Sequence, residues 1–188
     1  MNSSLKGIVD VYQQLRDSER EFVLATIIDT NGSTYRKAGA RLLITRSGKF
    51  FGLLGGGCFE TDLLEHARQT FETKRTQTIF YDMRSEEDLI WGLGLGCNGA
   101  VKIRLEYISE ENNYAPLTDI KNGLDLQKRC VVTTICKSTH PSFLPDQHYL
   151  IPFYQDLPKN KSFSSAIQTL AIEALSSNTC SLNVININ

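Results

Sequence analysis

The chain has 188 residues, enough for one domain or two small ones, and its 41% apolar and 22% charged content is that of an ordinary globular protein. A net charge of −1 without any basic run argues against a nucleic-acid or membrane-surface role. There is no signal-peptide pattern and no stretch near the ~20 apolar residues of a membrane span, so a cytoplasmic protein is expected. Five cysteines without regular spacing suggest no disulfide framework, and the absence of CxxC and HExxH argues against a structural zinc site.

Leu5, Ile8, Tyr12 and Leu15 fall at helical spacing and predict an amphipathic helix over Leu5–Leu15. Phe22–Ile28 is rich in strand formers and predicts a buried central strand. A polar loop over Asn31–Gly39 follows. Ala40–Thr45 and Phe50–Leu54 flank Arg46-Ser-Gly-Lys49 and predict a hairpin. Phe59, Leu63, Ala67 and Phe71 form the stripe of a second helix, Phe59–Glu72, whose first-turn acids Glu60 and Asp62 suit the positive end of its dipole. Thr76–Asp82 predicts a strand. Val101, Ile103, Leu105 and Tyr107 alternate with Lys102, Arg104 and Glu106, which predicts a half-buried strand.

The last third echoes the first. Val131–Ile135 matches Val23–Ile27 about 108 residues on, and Tyr149–Ile151 matches Leu42–Ile44. Ile167–Leu175 predicts a helix and Leu182–Ile187 a closing strand. The expected fold is α+β or α/β: a mixed sheet with flanking helices, in two related strand–hairpin–helix–strand halves. The first region spans 1–110, and a degenerate second copy spans 128–188 and lacks the glycine turns.

Those turns draw the chemical reading. Gly94-Leu-Gly96-Cys97-Asn-Gly99 spells GxGxxG, the dinucleotide fingerprint, but that fingerprint requires a helix after it. Period-two alternation after Gly99 predicts a strand instead. Such a turn offers close backbone approach and an anion-binding nest of N–H groups, which would favour a Cys97 thiolate. A tight bulge around a buried cysteine is the alternative. Gly55-Gly56-Gly57-Cys58 ends a strand and opens a helix, where free N–H groups bind anions and would lower the Cys58 pKa. Two such turns suggest one shared site. Arg41 could fork onto a phosphate. Glu60 reads as a general base or a helix-dipole partner, and His66 as structural.

Taken together, Val23–Ser33, Gly39–Ile44, Gly52–Glu60 and Gly92–Gly99 resemble the XdhC/CoxI family of xanthine dehydrogenase accessory proteins, in order and approximate spacing. Asn98 stands where the family usually has glycine, and Tyr35 where it commonly has proline. The resemblance implies binding of molybdenum cofactor (molybdopterin) and its delivery to a molybdenum hydroxylase such as xanthine dehydrogenase. A cysteine desulfurase is a further implied partner. On this reading Gly55, Gly56, Gly57, Gly94, Gly96 and Gly99 cradle the cofactor, with Glu60 beside them and Arg41 on its anionic groups. Cys58 and Cys97 face the thiophilic metal. The role is that of a cofactor-insertion chaperone rather than a catalyst, in a homodimer. It corresponds to the N-terminal part of longer members that continue into a Rossmann-like domain. A small nucleotide-dependent oxidoreductase and a non-catalytic interaction module are the alternatives.

Overall fold

The computed structural model describes residues 4–55, 60–84, 99–127, 129–141, 143–152 and 165–185. The chain divides into two compact units, Met1–Asn112 and Asn113–Asn188.

The first unit opens with helix α1 (Leu5–Glu19). Ser4 caps it by accepting from the Gly7 N–H at 3.1 Å, satisfying one of the free donors of the first turn. Arg20, left-handed at φ 58°, ends it and turns the chain into strand β1 (Glu21–Gly32). Strands β2 (Arg41–Thr45) and β3 (Phe50–Gly52) form the expected hairpin. Helix α2 (Glu60–Thr73) follows, then β4 (Gln77–Asp82) and β5 (Gly99–Ser109). The sheet order is β3-β2-β1-β5-β4. β1 is central, as expected.

Every pairing in this sheet is antiparallel, which corrects the mixed sheet read from the sequence. β1–β2, β2–β3 and β4–β5 join antiparallel neighbours, and the one helical connection, β3–α2–β4, carries the chain to the opposite edge of the sheet, so the two strands it joins are not neighbours and no parallel pair forms.

Strand periodicity divides β1 between two faces. Val23, Ala25 and Ile27 join Leu42, Ile44, Ile103, Leu105, Leu63, Ala67 and Phe71 in the main core, on the side of α2. Phe22 belongs to the other face and meets Tyr12 of α1 edge-on, with ring centroids 6.0 Å apart. Each large side chain buried here removes enough apolar surface from water to contribute about 1.5–3 kcal/mol. β5 is therefore buried on both faces, not half-buried: Arg104 and Glu106 are 3% and 5% exposed.

The second unit contains helix α3 (Leu117–Asp125), strands β6 (Cys130–Thr134) and β7 (His148–Pro152), and helix α4 (Ser165–Ser177). β6 and β7 pair antiparallel. Phe143, Ile151, Ile167 and Ala171 form its core, with Val131 and Ile185 against it. The closing strand expected over Leu182–Ile187 is absent across the described residues 182–185. Val184 there is 93% exposed and has nothing to pack on, so apolar alternation alone did not make a strand.

Candidate functional site

Strand direction fixes where the loops of the first unit meet. β1 finishes at Gly32, β3 at Gly52 and β4 at Asp82; β2 starts at Arg41 and β5 at Gly99. All five open toward the same side of the sheet, with Gly32, Asp82 and Gly99 at its tip and Arg41 and Gly52 set back, level with Thr26 and Ala25 of β1. The segment containing Gly55–Cys58 leaves toward that side at β3 and enters α2 at Glu60. The segment containing Gly92–Gly99 leaves toward it at β4 and returns at β5. Gly52 stands level, through Leu42, with Ala25 of β1, and Gly99 with Gly32, so the two are three strand spacings apart across the sheet, roughly 14 Å, and seven residues apart along β1, roughly 20 Å.

Gly99 is the first residue of β5, so a strand follows the GxGxxG segment and the dinucleotide fingerprint fails on structural grounds. Gly99 lies opposite Gly32 of β1, and its carbonyl accepts from the Met83 N–H at 2.9 Å. A side chain cannot be accommodated there. A Cβ on Gly99 would lie 2.4 Å from the Ser33 carbonyl oxygen and 2.7 Å from Thr34 Cγ2. The glycine thus lets the loop after β1 close over the start of β5. Gly52 plays a similar part at β3: its φ is 116°, and a Cβ would meet the Arg41 carbonyl oxygen at 2.4 Å.

Arg41 opens β2, and its Nη1 donates to the Gly39 carbonyl at 3.1 Å. Lys37–Ala40 is a tight turn closed by the Ala40 N–H on the Lys37 carbonyl, with Gly39 at φ 92°. Gly55 lies three residues past β3, after the buried Leu54. Glu60 is the first residue of α2. Gly56, Gly57, Cys58, Gly94, Gly96 and Cys97 lie outside the described residues.

Three sets of contacts on this sheet join residues that the sequence alone did not connect. Arg41 pairs across the sheet with Thr26, and Thr26 with Arg104. Arg104 Nε donates to Glu106 Oε1 at 3.0 Å, an ion pair buried in the sheet. The alternation of β5 assigned these charges to solvent. The available signal was α1, whose apolar stripe needs the same sheet face.

The second group ties α2 to β4. The Tyr81 hydroxyl donates to Asp62 Oδ2 at 2.5 Å, and His66 Nε2 lies 3.5 Å from the same oxygen. Burial, and then the neighbouring Asp62 carboxylate, push the Tyr81 pKa far up, so its hydroxyl stays a donor.

The third group joins β4 to β1. Arg84 donates through Nε and Nη2 to the two Asp82 carboxylate oxygens, at 2.7 and 2.5 Å, and through Nη1 to Asn31 Oδ1 at 3.2 Å. These bonds from Arg84 hold the Asp82 carboxyl at about 2, below its ordinary 3.8. A depressed carboxylate contributes stability above its unfolded pKa and loses it as pH falls through the folded one. The tether is therefore expected to release between about pH 4 and 2, and Asp82→Asn to delete that titration step. NMR titration of the Asp82 carboxyl carbon checks this. A midpoint near 4 would show that Arg84 is not held.

Among the described residues no cluster of three or more His, Cys, Asp or Glu could hold a metal ion, and no helix is long and apolar enough to cross a membrane.

Residues 15–82 match the XdhC and CoxI family. The chain is 40% identical over 136 residues to a probable xanthine dehydrogenase subunit of Bacillus subtilis, covering 70% of this chain and 40% of that protein. It is 26% identical over 106 residues to the molybdenum cofactor insertion chaperone PaoD of Escherichia coli, covering 56% and 31%. A solved xanthine dehydrogenase from Bacillus halodurans superposes with a TM-score of 0.54 at 36% identity, over 70% of this chain and 38% of that one. The chain thus spans less than half the length of each of these relatives. The region from the end of α1 through β4, with the β1–β3 hairpins and the first glycine-cysteine segment, is thus of the XdhC and CoxI family.

Proposed function

We propose that this protein binds molybdenum cofactor as cargo and hands it to a molybdenum hydroxylase, acting as an insertion chaperone. The observation that carries the reading is that both glycine-cysteine segments leave the sheet toward the same side, one after β3 and the other between β4 and β5. A relative that is itself a molybdenum cofactor insertion chaperone supports it.

Molybdopterin has a phosphate and a sulfur-rich, thiophilic metal end, and the two ends call for different partners. Backbone N–H groups of Gly55, Gly56 and Gly57, leading into α2 with Glu60 in its first turn, suit the anion. Arg41 supplies a guanidinium on the neighbouring strand. Gly94, Gly96 and Gly99 allow close approach of the second segment, and Cys58 and Cys97 offer thiolates to the metal end. Binding and release are all that this role requires. A cysteine desulfurase that sulfurates the bound cofactor would be a second visitor to the same side of the sheet.

The test is equilibrium binding of molybdopterin by the purified full chain, with Cys58→Ala, Cys97→Ala and Arg41→Met. Each loss of a direct charged or metal contact is expected to weaken binding by about tenfold or more, the equivalent of roughly 1.4 kcal/mol. Unchanged affinity in both cysteine variants would remove the thiol role. Saturable binding of NAD or FAD instead would move the protein to nucleotide-dependent redox chemistry.

A further inference from the structure

The second unit repeats the hydrogen-bond scheme of the first, and the repeat exposes what the second unit lacks. In β1 and β2, Val23 pairs with Ile44, the Ile27 N–H donates to the Ala40 carbonyl, and the Gly39 N–H donates to the Ile27 carbonyl. In β6 and β7, Val131 pairs with Ile151, the Ile135 N–H donates to the Gln147 carbonyl, and the Asp146 N–H donates to the Ile135 carbonyl. Both hairpins place two residues opposite one, a bulge whose first member has positive φ: Gly39 at 92° and Asp146 at 68°. Both bulges are preceded by an equivalent turn, closed by Ala40 N–H on Lys37 and by Gln147 N–H on Leu144. The flanking helices agree as well. α1 meets the Phe22 face of β1, and α3 meets the matching Cys130 face of β6, where a Cβ on Gly123 would touch Cys130 Sγ. α2 packs on the Val23 face and α4 on the Val131 face.

One piece differs. Antiparallel partners alternate between hydrogen-bonded and open pairs. Since Ile27 bonds to the β2 side, Phe22, Leu24 and Thr26 direct their backbone groups to the other side, where β5 takes them in register with Ile108, Glu106 and Arg104. The same count from Ile135 directs the N–H and C=O groups of Cys130, Val132 and Thr134 away from β7. Among the described residues no strand receives them.

We infer that this edge of β6 is an interaction surface that takes an antiparallel strand, and that the strand is β6 of a second copy of the chain. The first copy of the motif shows the geometry that the edge accepts. The strand itself argues for self-pairing. Cys-Val-Val-Thr-Thr has no charge, proline or glycine, the devices that natural edges use to refuse partners. Paired antiparallel about a two-fold axis at Val132, it sets Cys130 against the partner's Thr134 and both Val132 residues against each other. Arg129 then faces an isoleucine, and Lys137 a glutamine, so no like charges meet. The arrangement is isologous and closes at two chains.

Light scattering of the full chain across a concentration series, combined with amide hydrogen exchange, tests this directly. A dimer is expected, with the Val132 amide protected roughly tenfold or more as concentration rises through the transition. Val132→Pro removes that outward N–H and no bond to β7, so it should give a monomer with unchanged circular dichroism, while Val132→Thr remains dimeric. A wild-type chain that stays monomeric overturns the inference. So does a dimer whose Val132 exchange ignores concentration, because another surface then makes the contact. Protection appearing only when a molybdenum hydroxylase is added would also overturn it and give the edge to that partner. If Val132→Pro fails to fold, the wild-type exchange series decides alone.

Discussion

Glu106→Ala is expected to destabilise the protein by about 3–5 kcal/mol, because it takes from the buried Arg104 guanidinium the carboxylate to which its Nε donates. The two side chains are 4% and 7% exposed and joined at 3.0 Å, on a central strand with neighbours on both sides. A cation there cannot recover its hydration by moving to the surface without opening the sheet. The pair as a whole contributes far less than this loss suggests, since its mutual attraction largely offsets the cost of taking two charges out of water. The double variant Arg104→Met/Glu106→Leu should therefore fall within about 1–2 kcal/mol of wild type, or above it. Urea unfolding of the three proteins measures both quantities. If Glu106→Ala costs under about 1 kcal/mol, the value of an exposed pair, water reaches the guanidinium and the row is solvated. The pair lies beside Thr26, which pairs in turn with Arg41. If Arg104 contributes only to packing, the double variant should also keep cofactor binding, and the same samples can be assayed for it.

The ion pair also marks a limit of reading this chain from its residues. Helices α1, α2 and α4, the β2–β3 hairpin and the strand after Gly99 were all legible, because each carries a period or a turn residue that local physics determines. The alternation in β5 was equally clear, yet its polar face is buried. Periodicity reports which residues share a face, whereas burial depends on what else packs there. α3 was missed although Leu117, Ile120 and Leu124 fall at helical spacing: its nine residues, with an internal glycine, are fewer than the window over which a helical period is counted. The antiparallel arrangement did not show in the sequence because a helix between two strands, here α2 between β3 and β4, is also what a parallel crossover has, and local residues do not say that the two strands stand at opposite edges. Of the candidate site, Arg41 and Gly99 open strands that start toward the same side of the sheet, and sequence spacing gave no measure of that. The Tyr81–Asp62 and Arg84–Asn31 contacts join residues 19 and 53 positions apart, which no local pattern encodes.

Gly99→Ala should lower stability by about 1–3 kcal/mol although it adds a single methyl group, because that group has nowhere to go. Its nearest neighbour would be a backbone oxygen, Ser33 at 2.4 Å, with Thr34 Cγ2 at 2.7 Å. A side chain can rotate aside, but a carbonyl moves only with its loop. Thr34→Ser in the Gly99→Ala background removes the side-chain obstacle alone and is expected to recover little of the loss. Full recovery would show that the threonine methyl, and not the loop backbone, sets the tolerance. The same displacement has a consequence at the proposed site. The loop after Gly32 leads through Gly39 to Arg41, and the Gly39 carbonyl holds the Arg41 guanidinium at 3.1 Å. Pushing Ser33 outward shifts the near end of that loop against a β2 start that the sheet keeps in register. Molybdopterin affinity should therefore fall in Gly99→Ala by more than in Gly48→Ala, which changes the distant β2–β3 turn, where φ is 83° and the nearest contact an ordinary 3.5 Å to Leu64. Equal affinities in the two variants would separate Gly99 from the site and leave it a packing glycine, with the second glycine-cysteine segment then dependent on Gly94 and Gly96 alone.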